Sequence, residues 1–367
     1  MSLATTIVLW GLGLGAILGF IASKTNFCTM GAVSDIVNMG SWGRMRAWIL
    51  AIAVAIIGTN LLSYFGFLNL SNTIYTGASF PWLTFLIGGL TFGIGMTLAS
   101  GCGNKTLLRI GTGNLKSVVV FVFMGFAAIA TLKGIFGAFR VSVLTAPPVT
   151  TQLEHSQTIP AFFSGLAGLD AQGVQMLIAG IIAAAMLIFV FISKEYRKET
   201  DNILSGLIIG GVVVAAWYIT GHIGDNTSDE FATYKYIGTA SHLAESMSFV
   251  APSAYTLEYL GSWTDTSQVI TFSVASAFGV VLGSFFYAII SKGFRWEYFT
   301  SAKDMASHMI GAILMGFGGI TAMGCTIGQG ITGVSTLSLG SFVALLSIIA
   351  GSAITMKIQY YLMMRED

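Results

Sequence analysis

The chain carries too little charge to coat a soluble protein. Asp, Glu, Lys and Arg make up 9% of its 367 residues, against about 25% in an ordinary soluble domain. Hydrophobic residues reach 54%, and the mean hydropathy is +0.80. The formal net charge of +1 points to no partner, and no nucleic acid is expected. Inside the apolar stretches Asp and Glu are missing altogether, which argues against the carboxylate relays of proton-driven carriers. Passive or gradient-driven movement of an anion fits better. No Gly-x-x-x-x-Gly-Lys-Ser/Thr sequence occurs, so the chain is not its own ATPase. Cysteine is scarce: three residues, with no Cys-x-x-Cys and no His/Cys cluster of metal spacing, so no metal or other cofactor is expected. The four histidines, His155, His222, His242 and His308, are scattered and read as interfacial. His222, with Asp225 and Asn226 close by, is the one group of interest.

What is abundant is apolar length. A membrane crossing needs roughly 20 apolar residues. Nine segments qualify, at about 3–22, 47–69, 80–100, 117–137, 173–193, 204–221, 268–291, 306–325 and 336–356. The first lacks a basic leader and a small-residue cleavage site, so it reads as a retained span. Of the seventeen Lys and Arg, fourteen fall after odd-numbered segments or in the C-terminal tail. The positive-inside rule then puts the N-terminus outside and the C-terminus in the cytoplasm. The expected fold is all-α: a polytopic membrane protein of about nine helices.

Two glycine–cysteine loops recur. Gly93-Ile94-Gly95 leads to Ser100-Gly101-Cys102-Gly103-Asn104-Lys105, and Gly316-Phe317-Gly318 leads to Met323-Gly324-Cys325-Thr326-Ile327-Gly328. At an offset of 223 positions Gly88/Gly311, Gly93/Gly316, Gly95/Gly318, Ala99/Ala322, Gly101/Gly324 and Cys102/Cys325 superpose. A weaker match at an offset of 195 pairs Gly11/Gly206 and Gly15/Gly210, and sets Cys28 beside His222. The first loop ends span three and the second ends span eight, which runs the opposite way. The expected plan is an inverted repeat of four, one and four spans. Residues 1–172 form the first repeat, 173–200 a connecting span and cytoplasmic loop, and 201–367 the second repeat. Transporters use this plan, with the site at the repeat interface. Close helix packing also selects small residues, and that reading of the matches stays open.

Each loop reads as a helix, a glycine break and a fresh helical start. Glycine tolerates such a break because it has no Cβ. At membrane depth it survives only buried in protein or lining a wet cavity. A new helix would aim free N–H groups at the cysteine, and such an N-terminus attracts anions. A polarizable thiol beside it suits a soft sulfur-bearing anion. Hydrogen bonding and persulfide chemistry are both open, as is inert packing of the cysteines. Cys28, in Asn26-Phe27-Cys28-Thr29-Met30-Gly31, ends another apolar segment. With the thiols starting on different faces, a structural disulfide is not expected. Met30, Met96 and Met323 read as gap-fillers.

The outer loops of roughly 138–172 and 222–267 are long and aromatic. The second is acidic, with Asp225, Asp229, Glu230, Glu245, Glu258 and Asp265, an odd feature for a protein handling anions. Residues 294–307 read as an amphipathic helix on the cytoplasmic surface.

At Asn26-Phe27-Cys28-x-Met30-Gly31, Ser100–Lys105 and Met323–Gly330 the chain resembles the YeeE/YedE family of bacterial sulfur-compound transporters, and length and span number agree over most of the chain. The resemblance implies an inner-membrane importer of thiosulfate or a related sulfur anion. It implies that Cys28, Cys102 and Cys325 line the path. Asn26, Gly101, Gly103, Asn104, Lys105, Gly324, Thr326 and Gln329 accompany them as candidate substrate-binding residues. It also suggests a cytoplasmic sulfur-carrier partner of the TusA type. Two rivals stand beside it: a membrane-embedded sulfurtransferase, and an accessory membrane subunit of sulfur or selenium metabolism.

Overall fold

The computed structural model describes residues 2–154, 156–167, 171–226, 235–265 and 268–366. His155, Asp229 and Glu230 lie outside them. The fold is all-α, with one two-stranded antiparallel ladder pairing Ser79–Phe80 (β1) with Thr151–Gln152 (β2). In chain order the helices are α1 (Leu3–Thr25), α2 (Thr29–Ser34), α3 (Gly43–Tyr64), α4 (Trp82–Leu98), α5 (Gly103–Gly111), α6 (Leu115–Leu132) and α7 (Ile135–Phe139). Then come α8 (Ile159–Ala167), α9 (Ala171–Phe191), α10 (Thr200–Tyr218), α11 (Ala251–Gly261), α12 (Phe272–Ile290), α13 (Ala302–Thr321) and α14 (Leu339–Glu366). Local chemistry sets their starts. The Ser2 hydroxyl accepts the Thr5 N–H at α1, the Asn114 side chain accepts the Ser117 N–H at α6, and the Ser301 hydroxyl accepts the Asp304 N–H at α13. Each cap satisfies one of the amides a helix start leaves unpaired.

Among the described residues eight helical segments are long and apolar enough to cross a membrane. The sequence reading counted nine. The difference is α13, a 20-residue helix whose first two turns carry Lys303, Asp304 and His308. These lower its apolarity, and its neighbours meet them: Asp304 pairs with Lys116 of α6 at 2.7 Å and with His308 at 3.0 Å. Two segments are longer than expected because the chain turns and restarts: Leu3–Met39 and Trp82–Gly111. The first of these takes in Asp35, a buried carboxylate paired with Arg44, which the search of the apolar stretches missed. The surface helix expected over 294–307 is also absent up to Ser301. That strand-like stretch runs beside the α5–α6 turn, with Arg295 N–H donating to Thr112 O at 3.1 Å and Leu115 N–H to Glu297 O at 2.9 Å. Backbone pairing with that turn replaces helix formation there.

Small residues set how the helices approach. α4 and α13 cross antiparallel: a Cβ added to Gly95 would sit 2.6 Å from Gly311 O, and one added to Gly88 would sit 2.9 Å from Gly318 O. α1 and α12 run parallel, and a Cβ on Gly15 would meet Ser276 O at 2.1 Å. α3 and α10 also run parallel, with Gly210 against Ala51 O at 2.7 Å. α13 also packs on α6, and α4 on α14. Such glycine contacts bring backbones together where lipid gives no hydrophobic drive between helices.

Candidate functional site

The three cysteines occupy one local fold, built three times. Each of α1, α4 and α13 ends on a residue in the left-handed region: Asn26 (φ 51°), Ser100 (φ 57°) and Met323 (φ 60°). The next amide reaches back to the last helical turn: Phe27 N–H to Ala22 O at 3.1 Å, Gly101 N–H to Met96 O at 2.8 Å, Gly324 N–H to Gly319 O at 2.7 Å. This is the Schellman closure of a helix. The cysteine follows, with Cys28 extended at φ −155° and Cys102 at φ −77°. It opens the next helical turn, and its carbonyl accepts the first bond: Ala32 N–H to Cys28 O at 2.9 Å, Thr106 N–H to Cys102 O at 2.9 Å, Gln329 N–H to Cys325 O at 2.7 Å.

The sequence reading gave the strained conformation to the glycines. The structure gives it to Ser100 and Met323, one position earlier. Gly101 and Gly324 serve differently: a Cβ there would come within 3.0 Å of Lys105 Cγ and 3.1 Å of Gln329 Cγ. They leave room for those two side chains to fold back over the turn. The expected break and fresh start are both present.

Each thiol therefore sits at the N-cap of a helical turn. The Gly328 N–H donates to Cys325 Sγ at 3.4 Å. The Gly31 and Lys105 amides face the Cys28 and Cys102 thiols from the same third position, without full hydrogen-bond geometry. The turns also meet. The Cys28 and Cys102 thiols adjoin, and Cys102 adjoins the Thr326 hydroxyl beside Cys325. All three thiols are free. They are closed off from solvent, at 7%, 1% and 0% exposure for Cys28, Cys102 and Cys325.

Polar atoms on the three turns lack hydrogen-bond partners. Thr29 Oγ1, Asn104 Oδ1, Thr326 Oγ1 and Gln329 Oε1 are buried and make no hydrogen bond. Gln329 uses its other end, donating through Nε2 to Ala322 O. A buried acceptor left unpaired costs about 1–3 kcal/mol, and all four lie within four residues along the chain of a cysteine. Positive charge gathers on the Cys28 side. Half-buried Lys105 lies within electrostatic reach of Cys28, Cys102, Arg109 and Arg44. The Arg44 guanidinium covers the first turn of α2, where a Cβ on Gly31 would meet it at 2.4 Å.

Of the residues singled out from the sequence, Cys28, Cys102, Cys325, Gly101, Gly103, Asn104, Lys105, Gly324, Thr326 and Gln329 lie in these turns. Gly103 faces Met124 and Phe249 O. Asn26 is exposed and supplies only the turn. His222 does not join the thiols; it is exposed and packs edge-on against Phe67 and tilted against Tyr218, with ring centroids 5.0 and 5.1 Å away. Arg44, Arg109 and Asp35 were missed as site residues. The first two read as ordinary cytoplasmic charges, and nothing local in the sequence distinguishes them.

A cavity opens at each end of the α4/α13 pair. One, of about 910 Å³, touches Met30, Ser34, Ser100, His308 and Tyr360. The other, of about 200 Å³, touches Tyr75, Arg140, Glu245, Tyr255, Met323 and Gly324. Of the left-handed residues, Ser100 lines the first cavity and Met323 the second.

A helical membrane scaffold whose helices break at the cysteine turns, with a cavity at each end of the α4/α13 pair, is built as a transporter is. The chain belongs to the sulphur-transport family (YeeE/YedE), whose model matches residues 24–354. Among similar proteins is the thiosulfate transporter TsuA of Escherichia coli, 25% identical over 94% of this chain and 93% of that protein. Another is the thiosulfate transporter TsuA of Spirochaeta thermophila, 24% identical over 94% of this chain and 97% of that protein.

Proposed function

We propose that the chain imports thiosulfate, or a closely related small sulfur anion, past Cys325, Cys102 and Cys28 in turn. The observation that carries this reading is the threefold repetition of one turn, with a thiol at each helical N-cap and the turns in contact. Moving a dianion into the bilayer interior without compensation costs several kcal/mol or more. Here the N-terminal amides, the thiols and the Lys105–Arg109 pair offer that compensation in sequence, Arg44 being paired with Asp35. Neutral N–H groups serve the Cys325 end, while the cationic side chains gather at the Cys28 end. The unpaired oxygens of Asn104, Thr326 and Gln329 fit bound water or a hydrated part of the cargo. Each contact is weak, and adjacent weak sites let an ion leave as well as bind. The names of the two relatives support thiosulfate as the cargo.

The same reading includes the inverted repeat, with residues 1–172 and 201–367 as its halves and 173–200 between them. The packing supports it: Gly88 meets Gly318 while Gly95 meets Gly311, and these four are two equivalent pairs at the offset of 223. A two-fold relation makes such reciprocal contacts. The pairing of α1 with α12 answers that of α10 with α3 in the same way. We place the protein in a bacterial inner membrane, N-terminus outside and C-terminus in the cytoplasm. The Glu245 cavity is then outer, the Ser100 cavity inner, and α13 a ninth crossing. A cytoplasmic TusA-like carrier would receive the cargo.

Radiolabelled thiosulfate uptake into proteoliposomes tests the reading. Uptake above empty liposomes is expected, and competition by other small sulfur anions ranks the cargo. No excess uptake for thiosulfate or its relatives overturns it.

A further inference from the structure

The acidity of the 222–267 loop finds a use at one residue, Glu245. Its N–H donates to Thr220 Oγ1 at 3.2 Å, and one of its carboxylate oxygens accepts the Ala240 N–H at 3.1 Å. This holds the side chain beside the 200 Å³ cavity, whose lining also includes Met323 and Gly324, the two residues before Cys325 in the chain. Among the described residues no Lys, Arg or His lies within ion-pair distance of it. Arg140, in the π-helical turn after α7, lines the same cavity. Its Nε is buried without a hydrogen-bond partner, and it too makes no ion pair among the described residues. A guanidinium and a carboxylate thus share one small chamber without neutralising each other.

We infer that Glu245 is an acid-operated gate on the mouth leading to Cys325: protonated, it lets an anion settle against Arg140 and lends it a hydrogen bond; ionised, it repels that anion. The inference rests on the thiosulfate-import reading. The two phenols facing Glu245 do not titrate in its place. Tyr75, from the loop before α4, and Tyr255 of α11 both line the chamber, and burial and the nearby carboxylate push both phenols up. Behind Tyr255, Glu258 is occupied by Lys133 at 3.1 Å. His242, on the same segment, is exposed. Burial pushes the Glu245 carboxyl up to about 7, against the smaller opposing pull of its bond from Ala240. Its charge therefore changes near neutral pH, where thiosulfate stays a dianion throughout.

The test compares wild type, Glu245→Gln and Arg140→Gln in proteoliposomes, with labelled thiosulfate and outer pH 6 to 8. With a carboxyl titrating at about 7, the protonated fraction and the wild-type uptake rate fall about tenfold over that range. Glu245→Gln, a permanent mimic of the neutral acid, transports at the wild-type pH 6 rate at every pH. Arg140→Gln raises the half-saturating concentration and keeps the pH response. Detergent melting gives a readout independent of transport. Between the carboxyl's ordinary 4.5 and about 7 the native state holds a proton that the unfolded chain has lost, so wild-type stability falls as pH rises through that window and then levels. Glu245→Gln, and Glu245→Ala should Gln misfold, lose that slope. A wild-type rate independent of pH, or a variant that keeps the wild-type profile, overturns the gate. Absence of uptake at every pH overturns the import reading and the gate with it.

Discussion

At the residue scale the three cysteines differ from ordinary buried thiols in what surrounds them. Burial alone predicts that replacing Cys102 or Cys325 by Ser changes little, since the volumes are similar. The N-cap position predicts otherwise: serine keeps a donor and a cap but loses a soft, polarizable sulfur. Cys102→Ser and Cys325→Ser are each expected to lower uptake by about tenfold or more, which corresponds to ~1.4 kcal/mol, with melting unchanged. Uptake at the wild-type rate in both removes the sulfur-specific contact from the mechanism. The left-handed residues make a second, independent prediction. A non-glycine residue there costs roughly 1–2 kcal/mol, so Ser100→Gly is expected to raise the melting temperature, by an amount worth about 1 kcal/mol or less once glycine's extra unfolded-state freedom is counted. A fall would show that the Ser100 side chain holds the turn. This strain was invisible in the sequence, because the adjacent Gly101 and Gly324 drew attention to themselves.

At the element scale the long apolar helices were legible and the short breaks nearly so. Apolar length and charge between segments locate α1, α3, α4, α6, α9, α10, α12 and α14 without any tertiary information. α13 was legible as a helix, but its polar first turns are understood only beside Lys116 of α6. The 294–301 stretch was misread because amphipathic spacing carries no word of the α5–α6 turn that captures its backbone. Glycine contacts between elements give a packing prediction. Gly95→Val puts a side chain against Gly311 O, 2.6 Å from the new Cβ, where backbone cannot yield. It is expected to destabilise the protein by about 1–3 kcal/mol, read as lost yield or a lower melting temperature. Gly13→Ala, with nothing within 4 Å, is the matched control and is expected to be neutral. Equal behaviour of the two would mean that α4 and α13 do not cross where described.

At the scale of the whole molecule, orientation follows from where the charges lie. Fourteen of seventeen Lys and Arg on one side of the expected topology predict an outer N-terminus and an inner C-terminus. A C-terminal fluorescent-protein fusion is expected to glow and an alkaline phosphatase fusion to stay silent; the reverse pattern turns the molecule over. It would also exchange the two cavities, and the acid gate at Glu245 would then face the cytoplasm.

The sequence by itself determined the solvent this protein folds in, the approximate helices, and the two glycine–cysteine turns at Cys102 and Cys325. Those properties are local or compositional: apolar length, scarce charge, and Gly-Cys spacing after a helix. Only the tertiary structure decided that Cys28 lies beside Cys102 and Cys102 beside Thr326, and that Asp35 is held by Arg44. It also decided that Glu245 and Arg140 share a chamber ahead of Cys325. These are meetings of residues far apart along the chain. They depend on how closely glycine-lined helices approach and on which way each closed turn sends the chain, and no local pattern encodes either.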